Sequence, residues 1–186
     1  MKRSLRLIGL AALVALPAAV SAQESTRPVS FGVSGGLSLP VGDFGEGFDS
    51  GFNITGHVAF KPATFTNLSF RGDVGYDRFA AKNLDDVNFR MISVTGNAIY
   101  AFPQATPGIV RPYVLGGVGG YNGKTTGTVL GQDIDDSGST EVGIQGGGGI
   151  NFQLSGFATF IEAKYVNIFS DGNSTGFIPI TFGIRF

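Results

Sequence analysis

From residue 29 onward, apolar and polar residues alternate with a period of two, and no helical period is sustained. In 29–39, Val29, Phe31, Val33, Leu37 and Leu39 share one face, and Ser30, Gly32, Ser34, Gly36 and Ser38 share the other. In 52–61, Phe52, Ile54, Val58 and Phe60 oppose Asn53, Thr55, His57 and Lys61. In 67–78, Leu68, Phe70, Val74 and Tyr76 oppose Ser69, Arg71, Asp73 and Asp77. In 89–102, Ile92, Val94, Ala98, Tyr100 and Phe102 oppose Ser93, Thr95 and Asn97. Residues 109–121 are less decided because glycine fills both faces; with Arg111 inward, Val110, Val114 and Val118 point out. The pattern resumes in 140–152, 157–168 and 177–186, where Glu162 and Lys164 oppose Ile161 and Tyr165, and Arg185 opposes Ile184 and Phe186.

These segments predict eight strands. Their connections alternate: 62–66, 103–108 and 153–156 are short, whereas 41–51, 79–88, 122–139 and 169–176 are longer, polar and glycine-rich. Such sorting matches a membrane barrel with short periplasmic turns and long outer loops, and strands of about ten residues fit a tilted bilayer crossing. The expected fold is all-β: an eight-stranded antiparallel up-and-down transmembrane β-barrel. Pro112 and Pro179 are expected near strand ends, where a missing N–H is tolerated. Phe31, Phe60, Phe102, Phe152, Phe157 and Phe186 collect at the turn-side ends as an interfacial girdle, with Phe52, Tyr76 and Tyr165 toward the loops.

The polar face then fills the lumen. It carries Arg71, Asp73, Arg111, Glu162, Lys164 and Arg185, with His57 close by. Buried charges are tolerated only when paired, so Glu162 and Asp73 are expected to pair with Arg71, Lys164 and Arg185 in a structural interior cluster. Counting back from the short turns sets His57 opposite Arg71, Gly149 opposite Phe160 and Gly147 opposite Glu162.

The first residues change the picture of where this happens. MKRSLRLIGLAALVALPAAVSA (1–22) has Lys2, Arg3 and Arg6, an apolar run over Leu7–Leu16, and small residues at Val20 and Ala22. It reads as a cleaved signal peptide, too short in its apolar run for a spanning helix. Residues 23–28 are then a short lead and 29–186 the barrel domain. Removing the leader leaves 10 basic against 14 acidic residues, a net charge of −4.

Composition mainly excludes. With no cysteine there are no disulfides or thiolate metal sites, and a single histidine forbids a multi-histidine centre. The charge balance offers nothing to nucleic acid. Asp133, Asp135 and Asp136 lack the glycine and terminal glutamate of a calcium loop, so they read as solvated loop charge. GKTTG (123–127) lacks the spacing and following helix of a phosphate loop. No metal or cofactor is expected. His57, alone on the inward face, is a polar filler rather than a catalytic base, and no enzyme is expected.

The segments LSLPVGDFGEGFDSGFNITGHVAF (37–60), VRPYVLGGVGGYN (110–122), FIEAKYVNI (160–168) and IPITFGIRF (178–186) resemble the small eight-stranded outer-membrane β-barrels, the group of the OmpA transmembrane domain, OmpX and the opacity-type adhesins. The resemblance covers 29–186. It implies an integral outer-membrane protein of a Gram-negative-type bacterium, surrounded by lipid and lipopolysaccharide, delivered by periplasmic chaperones and monomeric. It implies that the last strand, with Ile180, Phe182, Ile184 and Phe186, is read by the outer-membrane assembly machinery. The chain given departs from full OmpA in showing no periplasmic peptidoglycan-binding domain after residue 186, so no cell-wall tether is expected. A closed, plugged barrel with a structural or surface-interaction role is the first expectation. A narrow conduit resembling the OmpW type is the second, and a soluble secreted β-barrel with an apolar interior the third.

Overall fold

The computed structural model describes residues 28–82, 87–103, 110–129, 132–135, 138–154, 157–170 and 173–186. The expected leader (1–22), most of the lead (23–27) and Asp136 lie outside them, as do the side chains of Asp133, Asp135 and Phe157. The strands are β1 (Val29–Val41), β2 (Gly51–Phe60), β3 (Leu68–Ala80), β4 (Asn88–Ala101), β5 (Val110–Val129), β6 (Gln132–Asp135), β7 (Ser139–Leu154), β8 (Phe157–Ser170) and β9 (Asn173–Arg185). One short helix, α1 (Asp43–Gly47), lies between β1 and β2.

Every pairing is antiparallel. The order β4-β3-β2-β1-β9-β8-β7-β5 closes on itself through β4–β5, and β1–β9 joins the two ends of the chain. Closure leaves no unpaired edge in the ring, which is the condition for strands to cross lipid. The ring therefore has eight strands. β6 stands outside it, paired only with Thr126–Val129 of β5, so this hairpin extends the sheet into the segment expected to be loop.

Alternation sets the faces. Val33, Ile54, Val74, Val94, Val118, Ile144, Ile161 and Phe182 point outward and are exposed, forming the lipid belt. Phe31, Phe60, Phe102 and Phe186 are exposed at the turn side, with Phe70 directly opposite Phe60 and Tyr100 one outward step before Phe102 along the chain. Phe152 is half-buried there.

Three sequence expectations require correction. His57 lies opposite Asp73, not Arg71; Gly149 lies opposite Glu162, and Gly147 opposite Lys164. Each register is displaced by two residues, which keeps every side chain on its face but changes its partner. The cause is turn length. β7 continues to Leu154, which pairs with Phe157, leaving a two-residue connection instead of the four residues counted from composition. In the β2–β3 hairpin, Phe60 pairs with Phe70, and the Lys61 N–H turns away to donate to the Pro28 carbonyl.

The second correction concerns Pro179, which is mid-strand because β9 begins at Asn173. The β8–β9 ladder is interrupted beside it, between the Ala163–Ile180 and Val166–Phe177 pairs. A proline has no N–H for that ladder. Pro112 does lie near the turn-side end of β5. Third, the lumen is not uniformly polar: apolar clusters lie at both ends of a polar middle.

Candidate functional site in the barrel lumen

The polar middle is organised by Arg71. β3 aims Arg71 and Asp73 inward, two residues apart on one face, and β8 does the same with Glu162 and Lys164. β3 and β8 are not neighbours in the sheet, so any contact between them crosses the lumen. The Arg71 guanidinium makes that crossing. Nη1 and Nη2 donate to the two Glu162 oxygens at 2.8 Å each. Nε donates to Asp73 Oδ1 at 2.8 Å, and Nη2 to Oδ2 at 3.0 Å. The planar fork of arginine fits two carboxylates in this bidentate manner. Arg71, Asp73 and Glu162 are each 3% exposed.

Neutral groups from other strands complete the cluster. Tyr113 Oη of β5 donates to Glu162 Oε2 at 2.7 Å. Asn97 Nδ2 of β4 donates to Asp73 Oδ2 at 3.1 Å. Gln145 of β7 donates through Nε2 to Thr95 Oγ1 at 3.0 Å and to Asn97 Oδ1. Lys164 Nζ stands 3.8 Å from Asp73 Oδ2, a looser ion pair.

Among the described residues Arg185 joins none of the ion pairs, contrary to the sequence expectation. Its Nη2 donates to Asn151 Oδ1 at 3.3 Å, and its guanidinium lies 5.6 Å from the Phe160 ring centroid. His57 approaches the same ring, at 5.3 Å between centroids. Phe160 thus fills the lumen below the ion layer, and the carboxylates are already taken by Arg71. Gly183 makes this possible, since a Cβ there would meet the Phe160 ring. Arg111 lies at the turn-side rim and donates through Nη2 to Asn67 Oδ1 at 3.0 Å.

Apolar layers close both sides. Toward the turns, Ile99, Tyr113 and Leu115 pack together. Toward the loops, Phe79, Met91, Tyr121, Val166, Ile168 and Phe177 form a cap, with Phe44, Phe48 and Phe89 against it. α1 and the residue after it bring in Phe44 and Phe48; the Phe44 and Phe79 rings meet edge-on at 5.0 Å. Between cap and ion layer is a cavity of about 20 Å³, room for about one water. Asp77 borders it and accepts from Ser38 Oγ, which in turn accepts from Asn53 Nδ2 at 3.0 Å.

The sequence reading named the charged members of the cluster but missed Tyr113, Gln145 and the aromatic cap. Tyr113 shares its parity with Arg111, which was a usable signal. Glycines on both faces of β5 obscured it.

Compared with known proteins, residues 8–186 match the family model described as outer membrane protein beta-barrel domain. The chain belongs to this family. It is an integral outer-membrane protein of a Gram-negative bacterium, embedded among the lipids and lipopolysaccharide of that membrane. No curated protein matches it. Among solved structures it is similar to Neisserial surface protein A, at 17% identity and a TM-score of 0.61, covering 85% of this chain and 96% of that one. It is also similar to Ail of Yersinia pestis in a phospholipid nanodisc, at 18% identity and 0.51, covering 86% of this chain and 100% of that one. The N-terminal barrel of Pseudomonas aeruginosa OprF gives 15% and 0.50, covering 84% and 97%. These likenesses are of fold.

Proposed function

We propose that this protein is a closed, plugged outer-membrane barrel whose role is structural or surface-interacting, exerted through its outer loops and not by conduction or catalysis. The observation that carries this reading is the Arg71 bridge, which holds Glu162 and Asp73 together across the lumen with four charge-assisted hydrogen bonds. A solute passing down the axis would have to break them, leaving buried charges unpaired. The aromatic cap above adds a dry barrier.

His57 supports the non-enzymatic reading. Its Nε2 is buried without a hydrogen-bond partner among the described residues, and the ring meets Phe160 edge-on inside the barrel. A catalytic histidine needs a nucleophile within reach and access to substrate. The C-terminal strand exposes Ile180, Phe182, Ile184 and Phe186 along one face; in this reading it is the segment the assembly machinery would read, and the barrel functions as a monomer.

Single-channel recording of the full chain in planar bilayers tests closure. The expected result is no steady ohmic conductance. A steady conductance that rises when Glu162→Gln or Arg71→Gln is introduced would overturn the closed reading in favour of a narrow conduit.

A further inference from the structure

On the loop side of the Arg71 bridge, three neighbouring strands leave a hollow in the wall of the lumen. The β2–β3 register sets Thr55 opposite Gly75, and the β3–β4 register sets Gly75 opposite Ser93. All three face inward, because Asp73 and Asp77, two residues to either side of Gly75, are buried in the lumen. Gly75 contributes no side chain, and the two hydroxyls border the space it leaves. A Cβ there would lie 2.7 Å from Ser93 Oγ and 3.5 Å from Thr55 Oγ1. The next inward row toward the loops sets Asn53 opposite Asp77. Asn53, Thr55, Asp77 and Ser93 all line the cavity of about 20 Å³.

This wall is rich in acceptors. Asn53 is 3% exposed, and its Nδ2 donates to Ser38 Oγ, which itself donates to Asp77. That chain fixes the amide and leaves Asn53 Oδ1 as a buried acceptor with no donor among the described residues. The Thr55 and Ser93 hydroxyls can each turn a lone pair toward the same space. Asp77 adds a carboxylate.

The charges point the same way. Asp73, Asp77 and Glu162 line the cavity against Arg71 and Lys164, a surplus of one negative charge. Arg71 is committed to Asp73 and Glu162, and Lys164 stands beside Asp73. Among the described residues, Asp77 has no cation within ion-pair distance, and His57, which also borders the cavity, has no carboxylate within that distance. A buried carboxylate without a counter-charge is costly. One cation would satisfy both the charge and the orphaned acceptor, because hard cations take carboxylate, carbonyl and hydroxyl oxygens. The cavity has room for one particle of about the size of water. Among the described residues, no three carboxylate or imidazole groups gather as a divalent ion would require.

We propose that Asp77, Asn53, Thr55 and Ser93 form a binding site for one sodium-sized monovalent cation. The site lies between the Arg71 bridge and the aromatic cap and is independent of the role proposed for the outer loops.

A ligand that binds only the folded state raises stability with its concentration. The test follows the urea unfolding midpoint of the full chain in phosphatidylcholine vesicles against sodium chloride, with tetramethylammonium chloride keeping the ionic strength constant. The native midpoint is expected to rise with sodium and saturate. Two variants are compared. Asp77→Asn removes the charge and keeps the shape. Gly75→Ala fills the hollow, and Ser93 Oγ can rotate away from the new methyl. Each should raise the half-maximal sodium concentration at least tenfold. A native midpoint that ignores sodium at constant ionic strength would overturn the proposal, as would an unchanged response in either folded variant. If acidification without sodium raises the native midpoint as far as sodium does, a proton neutralises Asp77 and the cation site is overturned. If Asp77→Asn fails to fold, Gly75→Ala decides the question.

Discussion

Replacing Arg71 by methionine keeps much of the side-chain length but removes all four hydrogen bonds to Asp73 and Glu162. Two carboxylates, each 3% exposed, then remain in the lumen. Lys164 is within ion-pair distance of Asp73 alone among the described carboxylates, and from 3.8 Å. Glu162 keeps its Tyr113 hydrogen bond but loses its bidentate cation. Breaking a buried pair by removing one partner costs about 3–5 kcal/mol, against about 0–1 kcal/mol for an exposed pair. The expected loss of stability for Arg71→Met is therefore about 3–5 kcal/mol. Glu162→Leu should also be costly, because it leaves Arg71 half-paired and the Tyr113 hydroxyl without its acceptor. The double variant Arg71→Met/Glu162→Leu should cost less than the sum of the two, since it removes cation and anion together. The assay is reversible urea unfolding in lipid vesicles followed by far-ultraviolet circular dichroism, because the chain has no tryptophan to report by fluorescence. A loss below about 1 kcal/mol for Arg71→Met would place the residue among solvated pairs and refute the reasoning. Additive single and double variants would show that the two side chains do not act as one unit.

Two further outcomes are expected. Gly183→Ala places a Cβ against the Phe160 ring and 2.8 Å from the Ser34 Cβ; the crowding should lower stability by about 1–3 kcal/mol in the same unfolding assay, and a neutral result would mean that Phe160 has room to move. The protein recovered from outer membranes should begin at Gln23, checked by N-terminal sequencing or intact mass; retention of residues 1–22 would refute the leader assignment.

The sequence alone determined the faces. Period-two alternation can place a side chain on lipid or in lumen without knowledge of any partner, because the pleat alone fixes it. Arg71, Asp73, Glu162 and Lys164 were therefore legible as inward charges, and the sorted connections were legible as two ends of a barrel. Which residue opposes which was not legible. Register depends on where each turn closes, and composition cannot distinguish the two-residue connection after Leu154 from a four-residue one. The cross-lumen contact of Arg71 with Glu162 was further out of reach, since it requires the curvature that brings non-adjacent β3 and β8 face to face. Arg185 illustrates the same limit: its charge and face were plain, but Phe160 and Asn151 became its partners because Arg71 had already satisfied the carboxylates. The cap of Phe44 and Phe48 over the lumen also depended on the tertiary fold, because a helix of five residues has too little period to announce which way it turns.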